Sequence, residues 1–123
     1  MIFSANSVDV YNPKVVRSTT GSIFHLPVVL GASLESTIAA AKQAGYQVFA
    51  ATAGGTTLPE LEQSILAKPT LWMFGNEAWG FEPHILELAD LQVAVPIYGA
   101  AESLNLATAA SICLYATAFA QNR

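Results

Sequence analysis

Short apolar runs alternate with amphipathic segments along this chain. Runs of this length with few polar positions are typical of strands that are buried on both faces of a parallel sheet. Four such runs lie at 26–30, 46–52, 70–75 and 91–97. Ile2 and Phe3 indicate the stub of a fifth strand, and Gly54-Gly55 is expected to break the second run. The pattern predicts an α/β fold, with helices on both faces of a parallel sheet.

Capping residues mark where the helices between these runs begin and end. Asn12-Pro13 combines an N-cap residue with proline at the first helical position, and Gly21 is expected to close that helix. Ser33 predicts the start of a second helix, which ends at Gly45. Further helical turns are expected at 59–66, after Pro83, and in a long last helix that Ser103 caps and that runs towards Gln121.

Composition limits the class of protein. The 123 residues suit one domain, 1–123, and a chain that is 53% hydrophobic and 11% charged is not disordered. So few charges indicate that another chain covers some apolar surface. The net charge of −4 argues against nucleic-acid binding by bulk electrostatics. No signal peptide or convincing membrane-spanning run is recognisable, so a cytoplasmic location without membrane contact is expected.

Cys113 is the only cysteine in the sequence. A single cysteine excludes an internal disulfide and a cysteine-based zinc cage, and the two histidines share no ligand spacing, so no metal is expected. Because Cys113 stands within the apolar helical run ATAASICLYATAF, we expect a buried and unreactive thiol.

The loops that follow the strands are the expected place for a site, since ligands bind at the carboxyl ends of parallel strands. Loop 75–83 offers Glu77 beside aromatic residues, although an ordinary turn explains it equally well. In the last loop Ser103 serves as an N-cap, whereas Asn105 inside a helix has no structural explanation. Glu77, Ser103 and Asn105 are therefore expected to converge on one pocket, either a mononucleotide-type cleft or part of a plain packing module.

Two segments carry a family resemblance. LWMFGNEAWGF at 71–81 and AVPIYGAAESLNLATAASICLYA at 94–116 together resemble motifs two and three of the SpoU/TrmH-type RNA methyltransferases, which belong to the knotted SPOUT class. The stretch YNPKVVRSTTGSIFHLPVV at 11–29 resembles the segment that precedes those motifs. The resemblance implies a deep trefoil knot at the last helix, a homodimer, and methyl transfer from S-adenosyl-L-methionine to a ribose 2′-hydroxyl of tRNA or rRNA.

The same resemblance implies roles for ten residues. Cofactor contacts fall on Thr52, Gly75, Val95, Ile97 and Leu104. Catalytic contacts with the target ribose fall on Glu77, Ser103 and Asn105, and RNA contacts on Arg17 and Asn76. For Arg17, a cation at a helix C-terminus is an equally good explanation.

One motif of the family has no counterpart here. Family members carry an earlier asparagine and arginine that act in catalysis, and the few residues before Asn6 cannot match that motif. We therefore expect the carboxyl-terminal portion of a methyltransferase. Two alternatives stay open: a non-catalytic module that binds the cofactor and dimerises, and a flavodoxin-like nucleotide binder without methyl chemistry.

Overall fold

The computed structural model describes all residues from Met1 to Arg123. The elements in chain order are β1 (Ile2–Ser4), α1 (Pro13–Ser18), β2 (Val29–Ala32), α2 (Leu34–Gln43), β3 (Gln47–Thr57), α3 (Gln63–Leu66), β4 (Thr70–Phe74), α4 (Pro83–Leu86), β5 (Leu91–Ala94) and α5 (Leu106–Gln121). Single 3-10 turns occupy Ser22–His25 and Leu58–Glu60. The strands form two parallel sheets, so the predicted parallel α/β class is confirmed.

The chain divides into two compact units, Met1–Thr37 and Ile38–Arg123, and each is described by itself. None of the helices combines the length and the apolar character that crossing a membrane requires.

The N-terminal unit contains the two-stranded sheet and α1. The α1 helix begins as predicted, because the Asn12 side chain accepts a hydrogen bond from the Lys14 backbone N–H at 2.9 Å. The prediction of a strand at 26–30 buried on both faces is wrong. Since Pro27 lacks an N–H, the ladder begins only at Val29, and Val29 and Leu30 are each about half exposed.

The C-terminal unit contains a three-stranded sheet in the order β4-β3-β5. Val48, Phe49 and Ala50 are buried because β3 is the central strand. The preceding helix α2 ends as predicted: Gly45 adopts a positive φ of 85°, and the Tyr46 backbone N–H donates to the Ala41 carbonyl at 3.0 Å. This is the six-to-one bond of a Schellman motif, a C-cap that favours glycine.

The core of this unit lies where α5 packs against β4 and α3. Its buried members are Phe49, Leu58, Val93 and Cys113. The Phe49 and Trp72 rings meet edge to face with centroids 5.3 Å apart, an arrangement that aromatic pairs favour. Cys113 is completely buried, which raises the pKa of its thiol to about 11. The predicted buried cysteine is confirmed, and almost none of it is thiolate at neutral pH.

The glycine pair in β3 does not end the strand, so that prediction is wrong. Instead the strand continues to Thr57 with a shift of register, and both Ala51 and Thr56 pair with Val93 of β5. A Cβ atom on Gly55 would lie 2.4 Å from the Gln92 backbone carbonyl. Gly55 therefore allows a close approach of the β3 and β5 backbones. The carboxyl-terminal part of β3 continues beyond a shift in its pairing with β5.

Candidate functional site

A cavity of about 670 Å³ lies at the carboxyl ends of the three strands of the C-terminal unit. Its walls come from the ends of β3, β4 and β5, from the loops after β4 and β5, and from the first turns of α5. Small-molecule sites commonly enclose roughly 300–1,000 Å³. The loops around 75–80 and 96–104, which were predicted from the sequence to meet, both line this cavity.

Eight of the ten residues with predicted roles line this cavity. They are Thr52, Gly75, Asn76, Glu77, Val95, Ile97, Ser103 and Leu104. Asn105 is not among the lining residues. Arg17 belongs to the N-terminal unit, where its Nε–H donates to the carbonyl of Pro13 on its own helix at 3.5 Å. The structure thus brings the predicted cofactor residues together, while the roles themselves stay predictions.

Asn105 is the N-cap of α5, which corrects the prediction that Ser103 has this role. Its side-chain oxygen accepts hydrogen bonds from the backbone N–H groups of Ala107 at 3.0 Å and Thr108 at 3.3 Å. Asparagine and serine are equally good caps, so the sequence alone did not decide between them. Asn105 therefore has a structural role as a helix cap, and the exposed Ser103 lines the cavity without capping the helix.

Glu77 also contacts the start of α5. Its Oε1 accepts a hydrogen bond from the Leu106 backbone N–H at 3.3 Å. The first N–H groups of a helix have no partner within the helix, and the positive end of the helix dipole favours a carboxylate there. Glu77 consequently connects the loop after β4 to the start of α5 through a hydrogen bond.

The loop after β4 is closed by its own backbone. The Gly80 N–H donates to the Asn76 carbonyl at 2.7 Å, and the Ala78 N–H donates to the Asn76 side-chain oxygen, also at 2.7 Å. A Cβ atom on Gly75 would lie 2.8 Å from the Gly80 carbonyl. The family resemblance implies a cofactor contact for Gly75, whereas the structure gives a reason for glycine that lies within the loop itself.

Thr52 gives the cavity wall an unusual polar atom. Its Oγ1 is buried and has no hydrogen-bond partner in the chain. Buried hydroxyl groups are nearly always hydrogen-bonded, so this orphaned oxygen distinguishes Thr52 from the other residues of the cavity wall.

Part of the apolar wall of the cavity was not identified from the sequence. Phe74, Phe81 and Leu86 line it together with the predicted residues. Phe81 is one of the aromatic residues that loop 75–83 offers beside Glu77. Phe74 belongs to the strand pattern and Leu86 to a short helix, and nothing in the spacing of these two sets them apart. Apolar walls with a few placed polar groups suit a nucleoside-sized ligand.

Comparisons with known proteins agree with this geometry. A sequence model of the SpoU rRNA Methylase family matches residues 1–115. The 23S rRNA (guanosine(2553)-2'-O)-methyltransferase RlmP of Bacillus subtilis is 38% identical over 94% of the chain, and the 23S rRNA (uridine(2479)-2'-O)-methyltransferase of Streptomyces viridochromogenes is 35% identical over 94%. The chain spans less than half of their length, 45% and 41% respectively.

Solved structures show the same likeness. The SpoU methyltransferase AviRb of Streptomyces viridochromogenes, in complex with AdoMet, superposes with a TM-score of 0.79 at 34% identity, covering 94% of this chain and 45% of AviRb. The AdoMet-bound rRNA methyltransferase of Sinorhizobium meliloti gives a TM-score of 0.82 at 31% identity over 94% of this chain and 44% of that one. On the extent of the sequence match and these superpositions, the chain belongs to the SpoU rRNA methylase family.

Proposed function

We propose that this chain is the cofactor-binding and dimerising part of an RNA ribose 2′-O-methyltransferase. The observation that carries the proposal is the cavity that the three strand ends and the loops after β4 and β5 enclose at the start of α5. Two related structures that superpose on this chain contain AdoMet. The RNA substrate is rRNA or tRNA, and the location is cytoplasmic.

The residues of the cavity fit S-adenosyl-L-methionine. Thr52 offers a buried hydroxyl without a partner, and Gly75 lines the cavity at the start of the closed loop after β4. Val95, Ile97 and Leu104 line the cavity with apolar side chains. An adenine edge is recognised by backbone N–H and C=O groups, a task that suits loops of small and apolar residues. When bound, the cofactor supplies an electrophilic methyl group on a positively charged sulfur.

The target ribose is placed against the loop that leads into α5. Ser103 carries an exposed hydroxyl at the cavity wall, from where it orients the 2′-hydroxyl of the nucleotide. Glu77 and Asn105 hold the start of α5 through hydrogen bonds to its backbone and so fix the position of this loop. Correct orientation of the attacking hydroxyl is a large part of the catalytic effect in such displacements. Asn76 and Arg17 are proposed to contact the RNA.

The path of the last helix is part of the proposal. In line with the family resemblance, α5 is threaded through the loop before it as a deep trefoil knot, and helices cover both faces of the sheet. The hydrogen bond between Glu77 and Leu106 joins the loop after β4 to the start of α5, a contact that is compatible with this path.

The partner in the proposed homodimer is a second α5. Leu114, Tyr115 and Phe119 are each more than half exposed, and the Tyr115 and Phe119 rings lie 5.4 Å apart. Large apolar side chains collected on one exposed helix indicate a surface that another chain covers.

Methyl transfer to RNA tests the proposal. The chain is incubated with S-adenosyl-L-methionine labelled in its methyl group and with unmodified rRNA or tRNA, alongside a version extended upstream to include the missing motif. We expect the extended protein to label ribose 2′-oxygens and the short chain to bind the cofactor with little or no transfer. Absence of labelling by both proteins, together with absence of cofactor binding, would refute the proposal.

A second candidate function is a non-catalytic module that binds the cofactor and dimerises. It is favoured by the charges of the cavity, because Glu77 and Glu102 are the only charged residues in its lining and neither supplies the cation of the missing motif. Labelling of RNA by the short chain at the rate of the extended protein would exclude this candidate.

A further inference from the structure

Both charged residues in the lining of the cavity are acidic. From residue 69 to residue 122 the sequence contains no lysine or arginine. The acidic residues in this stretch are Glu77, Glu82, Glu87, Asp90 and Glu102. Of these, Glu77 and Glu102 line the cavity. A cleft lined by charges of one sign focuses their field and favours ligands of the opposite sign.

The two cavity carboxylates are not equivalent. Glu77 accepts a hydrogen bond from the Leu106 N–H at the positive end of α5, so part of its charge is already balanced. Glu102 is exposed, and it makes no hydrogen bond or ion pair within the chain. Glu102 is therefore the cavity carboxylate whose charge is left for a ligand.

We propose that Glu102 makes the cavity selective for the cationic form of its nucleoside ligand, a role that rests on the proposed function. S-adenosyl-L-methionine carries a net charge of plus one, whereas S-adenosyl-L-homocysteine, which lacks the methyl group, carries none. Glu102 attracts the first and has no net Coulomb attraction for the second.

This selectivity has a consequence for turnover. Methyl transfer breaks the S–CH3 bond with its electron pair left on sulfur, forms the O2′–CH3 bond and releases the hydroxyl proton to water. Glu102 therefore no longer attracts the nucleoside once the methyl group is transferred. The product S-adenosyl-L-homocysteine is bound more weakly and dissociates faster.

Binding measurements with three nucleosides test the proposal without any activity readout. Dissociation constants of the chain are measured by isothermal titration calorimetry for S-adenosyl-L-methionine, S-adenosyl-L-homocysteine and sinefungin, an analogue that carries an ammonium group in place of the sulfonium. In Glu102→Gln we expect the two cationic nucleosides to bind about two- to five-fold more weakly, the range of exposed ion pairs, and the neutral one to bind unchanged.

Two variants and one condition complete the test. Glu87→Gln removes an exposed carboxylate outside the cavity and is expected to leave all three constants unchanged. Glu102→Lys is expected to weaken the binding of the two cationic nucleosides more than Glu102→Gln does. In the wild-type chain, raising the salt from about 50 mM to about 500 mM should reduce the preference for the cations, because screening acts on exposed charges.

The outcomes separate this inference from the proposed function. If Glu102→Gln changes the three constants equally, or changes none of them, Glu102 does not select for charge, while the cavity remains a nucleoside site. If the folded wild-type chain, checked by circular dichroism, binds none of the three nucleosides, the proposed function and this inference are both wrong.

Discussion

Asn105 is both the N-cap of α5 and a predicted catalytic residue. Its side-chain oxygen accepts hydrogen bonds from two backbone N–H groups of α5, so Asn105→Ala is expected to lower the free energy of unfolding by about 1 kcal/mol. Asn105→Ser keeps a capping oxygen and should retain most of that stability. Urea denaturation followed by circular dichroism measures both, and an alanine variant as stable as the wild type would contradict the capping role.

The same two variants also separate capping from catalysis in the extended protein. If the amide of Asn105 acts only through the helix start, Asn105→Ser should keep most of the methyl transfer to RNA. A stable serine variant without activity would show instead that the amide contacts the target nucleotide.

Gly75 gives a second prediction at the residue scale. Its Cβ position lies 2.8 Å from the carbonyl carbon and oxygen of Gly80, closer than real Cβ contacts, so Gly75→Ala must displace the loop after β4. We expect a loss of about 1–3 kcal/mol in the free energy of unfolding and weaker cofactor binding. Gly54→Ala is the matched control, since nothing lies within 4 Å of its Cβ position. Equal stability of the two variants would contradict the account of the closed loop.

At the scale of elements, Asp90 joins α2, β3 and the start of β5. Its carboxylate contacts the Lys42 ammonium at 2.8 Å and accepts a hydrogen bond from the Val48 N–H at 2.7 Å. The hydrogen bond from Lys42 is the main reason that the pKa of Asp90 lies below its usual value, and the Val48 N–H lowers it further. The folded protein thus binds this proton less readily than the unfolded chain does.

The pH dependence of stability follows from that direction. The contribution of Asp90 is present above the pKa of an unfolded aspartate, about 3.9, and is lost as the pH falls through the lower pKa of the folded state. We expect Asp90→Asn to be less stable than the wild type at pH 6 and the difference to shrink at pH 3. Glu87→Gln serves as the control, and a difference between Asp90→Asn and wild type that is the same at both pH values would contradict this role.

The elements also show what the sequence was able to predict. Asn12 and Gly45 act locally, so the helix boundaries that depend on them were predicted correctly. The continuation of β3 through Gly55 depends on how close the backbone of Gln92 comes, which no local pattern encodes. In the site, the ends of the apolar runs indicated which loops meet, because the carboxyl ends of parallel strands share one edge of a sheet, whereas the choice of Asn105 over Ser103 as the cap depends on where α5 begins in three dimensions.

For the whole molecule, the exposed face of α5 predicts the oligomeric state. Phe119 is 62% exposed, so Phe119→Glu leaves the core intact and places a charge in the proposed dimer contact. We expect the wild-type chain to be a dimer and this variant a folded monomer in light scattering coupled to size-exclusion chromatography. Ser64→Glu, a change on the exposed surface of α3, should remain a dimer. A monomeric wild type would refute the proposed contact.

The central claim for the whole molecule is that the loops at the carboxyl ends of β3, β4 and β5 together bind S-adenosyl-L-methionine. Backbone hydrogen exchange, measured by mass spectrometry with and without the cofactor, tests this claim most directly. We expect slower exchange on cofactor addition in peptides covering 51–57, 75–81 and 95–104, and unchanged exchange in 11–25. Unchanged exchange in all three of these segments, or protection confined to other segments, would contradict the claim that they bind the cofactor.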